Sequence, residues 1–337
     1  MFMVVLPHRL VSPMIPGFSP RDKAVFSHTK FRLSTEGGEN VEKLAQLGFV
    51  LARRGRVGLA RTPDGAGEDF VRACAGGVAA AGGRAELFPD LTSPVEGSWA
   101  ARRWGLPALL FFDTEDEPRL HLFDRLGLPF APEALGRLKE ALSQPPAAGA
   151  EGGAWTVRHI PEGLWAGETA RQLALGRSGP PWRHRQAAVP GDRGADRDLG
   201  RVLSALGWQV EERWRPGIPA FFTARSGFCL LAQDETGAPI SPERLLTLVA
   251  LIEMENGGGI VALPSVRAPW AAPAALCYGG QVLALERDGE RARRLYAARP
   301  WLWSAPAAAG RICARMAASG ERLSTLAGLV PQWAGTK

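Results

Sequence analysis

The chain has 337 residues but little lysine, few cysteines and no long apolar run. Its longest apolar stretches are far short of the ~20 residues that a membrane-spanning helix needs. The apolar N-terminal stretch, residues 1–18, contains three prolines and has no basic start, whereas a signal peptide begins with a positively charged segment. These absences predict a cytoplasmic protein without a transmembrane helix.

The four cysteines are scattered along the chain: Cys74, Cys229, Cys277 and Cys313. No two of them have the C-x-x-C spacing that is typical of a zinc knuckle or a redox pair. We therefore expect buried free thiols, and we expect the protein to bind no cofactor.

The net charge of +6 comes almost entirely from arginine, since only five of the 40 basic residues are lysines. An excess of positive charge can indicate an anionic partner such as nucleic acid or a phosphate ester. Residues 180–186 and 291–303 mix arginine with aromatic residues, but neither stretch forms a known nucleic-acid-binding module. We interpret the arginine content as a compositional bias and do not expect nucleic acid as the partner.

Helix and strand patterns alternate in the first part of the chain. Val41, Leu44, Leu47 and Leu51 share one helical face, and strand and helix patterns then follow in turn through residues 56–112. Such alternation is typical of a mainly parallel sheet with helices on both faces.

Composition divides the chain further. Residues 145–154 are rich in proline, alanine and glycine, as a linker is. We predict three consecutive α/β domains with mainly parallel, mixed sheets, of which the second is shortened. Their predicted limits are residues 1–145 for the first domain, 146–154 for the linker, 155–236 for the second domain and 237–337 for the third, which ends in a helix.

An acidic cluster follows one apolar strand. The apolar residues 108–112 are followed at once by Asp113, Glu115, Asp116 and Glu117. Acids at the end of a strand are where α/β proteins often place metal ions or general bases, although four acids on an exposed turn can simply be solvated. Which of these applies depends on the surrounding chain.

The order of elements resembles that of the α-D-phosphohexomutases, the phosphoglucomutase and phosphomannomutase superfamily, over almost the whole chain. Residues 25–33 resemble the family's F-G-T-S-G-I-R-G opening, and residues 56–94 resemble its G-R-D-T-R-x-S strand and helix. Residues 230–251 give the most specific match, to L-x-L-V-D-E-x-G-x-x-L-S-P-D-R-L-L-A-L-L. The resemblance implies three domains of the phosphohexomutase type.

In that family a phosphoserine in T-A-S-H-N-P donates its phosphoryl group, and D-G-D-A-D-R holds Mg²⁺. The resemblance places residues 113–118 on the first motif, with Glu115 at the phosphoserine, Asp116 at the histidine and Glu117 at the asparagine. A carboxylate cannot carry and return a phosphoryl group as serine does. We therefore expect that this part of the mechanism is lost.

The resemblance places Ala224, Ser226 and Phe228 at the three metal-ligand positions. None is a carboxylate, whereas Mg²⁺ requires oxygen ligands in near-octahedral placement, so we expect no metal. Residues 192–197, D-R-G-A-D-R, look like a damaged metal loop, but we interpret them as the start of a helix. The family's sugar-reading G-E-x-S-G-H loop has no counterpart between Gly289 and Ala305, and we expect no counterpart of its fourth, phosphate-gripping domain.

A few candidate site residues remain. Arg32 and Arg61 match arginines of the family motifs and could bind the anion of a substrate, although each could equally be a structural or surface arginine. His121 is expected to be a solvated histidine. Arg225 is predicted to pair across the vestigial cleft with Glu115 or with one of its neighbours, Asp113, Asp116 or Glu117. A carboxylate would then stand in place of phosphoserine and the guanidinium in place of Mg²⁺.

These observations predict a catalytically degenerate phosphohexomutase-like protein that binds a sugar phosphate or a protein partner, without turnover. The alternative is phosphoglucomutase or phosphomannomutase activity through unconventional residues. A purely structural subunit would be favoured if side chains filled the cleft. We also expect association, as a homodimer or with another chain, through apolar surface near residues 299–303.

Overall fold

The computed structural model describes residues 31–32, 39–65, 67–115, 119–144, 152–174, 185–224, 226–257 and 259–330. Within these ranges the chain forms two mixed sheets and a two-stranded parallel sheet, with helices packed against them. No helix of the described part of the chain is long and apolar enough to cross a membrane.

The first sheet has six strands: β1 (Phe31–Arg32), β2 (Val57–Arg61), β3 (Arg84–Phe88), β4 (Ala108–Asp113), β5 (Arg119–Phe123) and β6 (Ala154–Val157). Their order is β1-β5-β4-β2-β3-β6. Strands β2, β3, β4 and β6 run parallel, and β5 is antiparallel to both of its neighbours. The predicted α/β class with mainly parallel, mixed sheets is confirmed.

Four helices cover this sheet: α1 (Glu39–Ala52), α2 (Glu68–Ala80), α3 (Pro94–Arg103) and α4 (Pro132–Leu142). Strand β4 is buried on both faces, because Leu110 and Phe112 pack in one core with α1 and α2 while Leu109 and Phe111 pack in the other core with α3. Helices α1 and α2 approach very closely, and a Cβ atom on Gly77 would lie 1.8 Å from Ala45 O.

The predicted apolar face of α1 is largely correct. Leu44, Leu47 and Leu51 are buried in the core with α2, whereas Val41 is 43% exposed. Val41 lies in the first turn of the helix.

The second sheet has five strands: β7 (Gln186–Ala188), β8 (Gln209–Glu211), β9 (Ala220–Ala224), β10 (Cys229–Gln233) and β11 (Pro239–Ile240). Their order is β11-β10-β9-β7-β8. Its helices are α5 (Leu164–Ala174), α6 (Gly194–Ala205) and α7 (Pro242–Gly257).

The last part of the chain contains the parallel strands β12 (Ile260–Leu263) and β13 (Gln281–Ala284), the helices α8 (Ala268–Cys277), α9 (Gly289–Ala297), α10 (Ala305–Ser319) and α11 (Leu323–Gly328), and a 3-10 turn at Pro300–Leu302. Side chains close the free edges of the two strands. Arg299 Nη1 donates to Ile260 O at 2.5 Å, and Ala284 N donates to Asp288 Oδ2 at 2.6 Å. An edge capped in this way is a poor template for another strand.

The domain limits stay a prediction, because one apolar core runs continuously through all three parts of the chain. Two strands pair with a sheet that lies on the other side of a predicted domain limit. Strand β6 belongs to the first sheet although it lies beyond residue 145, and β11 belongs to the second sheet although it lies beyond residue 236.

All four cysteines are free. Cys74, Cys229 and Cys313 are buried, as expected, whereas Cys277 is exposed at the end of α8. Burial raises the pKa of both Cys74 and Cys313, so these thiols are inert hydrophobic groups.

A buried ionic network joins α7 to α10. Glu253 Oε1 lies 2.8 Å from Arg299 Nε, and Glu253 Oε2 lies 2.8 Å from Arg311 Nη2. Glu253 is only 5% exposed, so it is the acid that neutralises two largely buried guanidinium groups. A second pair on the same two helices, Glu255 with Arg315, lies at the surface.

We expect Glu253→Gln to lower the free energy of unfolding by about 3 kcal/mol or more, because two buried guanidinium groups lose their counter-charge. Glu255→Gln is the matched control and should cost less than about 1 kcal/mol, because its pair is solvated. Urea unfolding followed by tryptophan fluorescence measures both. Equal losses would contradict this account of the network.

Candidate functional site

The acidic cluster lies where β4 ends, at the edge of the first sheet that faces α6 and the loop between β9 and β10. Asp113 is the last residue of β4, and Thr114 and Glu115 follow it. Asp116 and Glu117 lie outside the described residues. The contacts of Asp113 and Glu115 therefore decide what the cluster can do.

Asp113 is buried and surrounded by donors. The Ser226 hydroxyl donates to Oδ2, and the backbone N–H of Glu115 donates to Oδ1 at 3.3 Å. His121 Nε2 lies 3.4 Å from Oδ2, an electrostatic contact without hydrogen-bond geometry. Burial by itself would raise the pKa of Asp113, but His121, Ser226 and Glu115 N–H outweigh it and hold the pKa below its usual value.

Glu115 bridges the first sheet to α6. Its Oε1 accepts a hydrogen bond of 2.8 Å from the backbone N–H of Gly194, the first residue of α6. The positive end of a helix favours a carboxylate. Burial and the nearby charge of Asp113 nevertheless raise the pKa of Glu115, against the Gly194 bond that lowers it.

The predicted pair of Glu115 with Arg225 stays a prediction, since Arg225 lies outside the described residues. The described partner of Glu115 is a helix N-terminus, and the described partner of Asp113 is Ser226, which neighbours Arg225. The two loops thus meet, as the sequence interpretation required.

The three positions at which the resemblance would place metal ligands do not fit a metal ion. Ala224 ends β9 and has no oxygen in its side chain, while the Ser226 hydroxyl is already bonded to Asp113. Phe228 is 9% exposed and packs among aromatic rings. Among the described residues no group of three His, Cys, Asp or Glu side chains could hold a metal ion.

The rings around Phe228 form an aromatic plug, which we define as His121, Phe123, Phe228 and Trp303. The Phe228 centroid lies 6.0 Å from those of His121 and Phe123 and 6.5 Å from that of Trp303. The plug joins β5, the loop after β9 and the start of α10. The prediction that His121 is solvated is wrong, because its side chain is only 18% exposed and contacts Asp113, Phe123 and Phe228.

A polar rim lies beside the acidic cluster. The Thr114 hydroxyl donates to Asp64 Oδ2 at 2.5 Å and contacts the Thr62 hydroxyl. Arg61 Nη1 donates to Thr62 O at 2.9 Å, and its Nη2 lies 3.7 Å from Glu68. Arg61 is therefore partly a structural arginine, although its side chain remains 25% exposed.

Arg32 lies in the two-residue strand β1, at the edge of the first sheet. The position of its side chain is outside what the structure describes. Its role in binding an anion stays a prediction.

Residues 192–197 begin α6, as interpreted from the sequence. Asp196 is buried and accepts hydrogen bonds from the Thr223 backbone N–H at 2.9 Å and hydroxyl at 2.7 Å. It ties α6 to β9 and is not placed to bind metal with other acids of the described chain.

Sequence reasoning missed a buried acid pair between α3 and α6. Asp198 is fully buried and accepts from the Ser93 hydroxyl, while Glu96 accepts from Thr92 N at 2.6 Å and from the Thr92 hydroxyl at 2.9 Å. Burial raises the pKa of both acids, and the charge of Glu96 raises that of Asp198 further. The S-P-V-E capping pattern at residues 93–96 was the one available signal, and it points to Glu96 alone.

The stretch where the family's sugar-reading loop would lie is helix α9, which docks on the first part of the chain. Arg293 Nη2 donates to Asp124 Oδ2 at 2.6 Å and to Pro129 O at 2.7 Å. Arg102 Nη1 donates to Ala297 O at 2.7 Å. These contacts tie α9 to the first part of the chain.

The expected apolar surface at residues 299–303 is wrong. Leu302 and Trp303 are 1% and 7% exposed, and the Trp301 ring lies 4.9 Å from Arg311 Cζ. These side chains pack inside the protein: Trp303 belongs to the aromatic plug, and Leu302 and Trp301 pack with the apolar core. Association with a partner stays a prediction, and the surface at residues 299–303 does not support it.

No protein-family model and no curated protein match the chain. Solved structures do match. A protein described as a putative phosphomannomutase from Thermus thermophilus is 15% identical, with a TM-score of 0.68 over 91% of this chain and 83% of that one. A phosphoglucomutase/phosphomannomutase family protein from Burkholderia thailandensis is 14% identical, with a TM-score of 0.64 over 90% of this chain and 78% of that one.

The open form of the Paramecium phosphoprotein pp63/parafusin, a phosphoglucomutase, is 8% identical, with a TM-score of 0.56 over 88% of this chain and 71% of that one. The chain therefore has the phosphohexomutase fold, and the resemblance noted in the sequence is confirmed at the level of the fold. Identities this low carry no statement about activity.

The acid pair makes stability depend on pH. An acid whose pKa is raised by folding contributes stability below its unfolded pKa of about 4, and this contribution is lost as the pH rises toward the folded pKa. The charges that face Asp198 are Glu96 and Arg201, and Arg201 is itself paired with Glu162.

We expect Asp198→Asn to have a higher free energy of unfolding than the wild type at pH 7, because position 198 then no longer places a buried carboxylate beside Glu96. The difference should shrink as the pH falls to about 4. Denaturant titrations at several pH values measure it, with the exposed Asp192→Asn as control. A variant less stable than the wild type at pH 7, with the same pH profile, would show that the pair is not strained.

Proposed function

We propose that this chain is a catalytically degenerate protein of the phosphohexomutase fold that acts by binding, either to a sugar phosphate or to a protein partner, and not by phosphoryl transfer. The observation that carries the proposal is the contact of Asp113 with Ser226, beside a buried Phe228. It joins the two loops on which phosphoryl transfer would depend.

Phosphoryl transfer depends on positioning and on stabilisation of charge, so it needs a carrier and a cation in place. Glu115 stands at the carrier position, and its carboxylate is bonded to the N-terminus of α6. The positions of the cation's ligands are held by Ala224, Ser226 and Phe228. Their side chains are a methyl group, a hydroxyl that is already bonded to Asp113, and a phenyl ring. No step of the reaction can therefore be assigned to these residues.

Binding at the polar rim is supported by Arg61, whose side chain is 25% exposed. The hydroxyls of Thr62 and Thr114 beside it already donate to Asp64. A guanidinium can bind a phosphate ester through two parallel hydrogen bonds. The partner at this rim would be a small anion such as a sugar phosphate, whereas a protein partner would bind elsewhere on the surface.

The aromatic plug favours a second candidate, a structural subunit. Four rings fill the space between β5, the loop after β9 and α10. A centre filled in this way stabilises the arrangement of the three parts of the chain and leaves little space for a sugar ring.

We expect no interconversion of glucose or mannose 1- and 6-phosphates. A coupled assay with Mg²⁺ and the sugar bisphosphate activator measures it, with heat-inactivated protein as the blank. Turnover clearly above the blank that persists in Glu115→Ala would establish the rival enzymatic function, because activity would then proceed through residues other than this acid.

For binding, we expect glucose 1-phosphate to be held at the rim and Arg61→Met to weaken it about tenfold or more, since a charge-assisted hydrogen bond contributes roughly 1.5–3 kcal/mol. Arg72→Met is the matched control, because Arg72 pairs with the same Glu68 but is 73% exposed. Calorimetric titration measures all three proteins. No heat at millimolar ligand for the wild type, with an unchanged structure after soaking, would favour the structural subunit instead.

A further inference from the structure

A small cavity lies between α7, β10 and the N-terminus of α10. Most of its wall is apolar, including Leu245, Val249 and Ala308. Its volume is about 30 Å³. Since one water-sized particle needs roughly 10–15 Å³ of such space, the cavity holds one or two.

The polar side chains that line this cavity include Arg267, Trp301 and Ser304. Ser304 is 1% exposed, and neither its Oγ nor Trp301 Nε1 has a hydrogen-bond partner among the described residues. Ser304 stands at the N-cap of α10, yet its hydroxyl does not cap that helix. Because buried polar groups are normally paired, these two atoms indicate a small bound species.

The chemistry of the wall favours an anion over water. A guanidinium and an indole N–H can only donate, and a hydroxyl can donate as well as accept. The described residues that line the cavity include no carboxylate. Arg267 is 3% exposed, and burial lowers its pKa, so an anion beside it would favour its charged form. Of these three side chains only the Ser304 hydroxyl could accept a hydrogen bond from a water molecule, whereas an anion could accept from all three.

We propose that this cavity binds one small monovalent anion of halide size, such as chloride, between the Arg267 guanidinium, the Trp301 indole N–H and the Ser304 hydroxyl. The N-terminus of α10 adds partial positive charge on the same side. A phosphate group, with its four oxygens, is too large for a space of one or two water-sized particles. The site is therefore separate from the polar rim and independent of the proposed function.

The test compares thermal unfolding in potassium chloride and in potassium gluconate at equal ionic strength, because gluconate is too large to enter. We expect the melting temperature of the wild type to rise when chloride replaces gluconate. This rise should be about 2 °C larger than in Trp301→Phe, Ser304→Ala or Arg267→Met. Trp155→Phe and Arg291→Met are the controls, since both residues are exposed, and they should behave as the wild type.

Crystals soaked in bromide give a second measurement. We expect an anomalous peak in the cavity within hydrogen-bond distance of Trp301 Nε1, and its loss in Trp301→Phe crystals. The same salt shift in the wild type and in all three cavity variants, or a cavity without bromide, would overturn the proposal and leave the space to water. Trp301→Phe and Ser304→Ala keep the test valid if Arg267→Met does not fold.

Discussion

The buried carboxylate of Asp113 is the group on which the centre of this protein depends. A charge at the end of a central strand, 6% exposed, must be satisfied by nearby donors because solvation is lost there. Ser226, the backbone N–H of Glu115 and His121 supply that stabilisation. Each comes from a different segment, so the same acid fixes the turn after β4, orients β5 and holds the loop between β9 and β10 against the first sheet.

The same arrangement recurs around this acid. Glu115 is bonded to the N-terminus of α6, Asp196 joins α6 to β9, and Asp198 is bonded to Ser93 at the start of α3. In each case an acid on one element meets a hydroxyl or backbone donor on another. These acids are thus bound in internal hydrogen bonds that join separate elements of the fold.

The order of elements, the doubly buried strand β4 and the face of α1 could be predicted from the sequence, because they depend on local periodicity and on the alternation of helix and strand. That Glu115 follows β4 and that Phe228 lies in the loop between β9 and β10 could also be predicted from the order of elements. The acid pair of Glu96 and Asp198 could not, because it joins residues about one hundred positions apart. Nor could the burial of His121, since a histidine on a strand gives no indication of a loop from the next sheet that covers it.

A double-mutant cycle between Asp113 and Ser226 tests the central claim most directly. Free energies of unfolding for the wild type, Asp113→Ala, Ser226→Ala and the double variant isolate the contact, because the effect of Ala at the left-handed Ser226 position, with φ 58°, appears in both arms and cancels. We predict a coupling of about 1.5–3 kcal/mol at pH 7, as for a hydrogen bond to a charged group. Since the pKa of Asp113 is lowered by folding, the coupling should be lost as the pH falls through that pKa. A coupling near zero at pH 7 would contradict the claim that this carboxylate holds the two loops together.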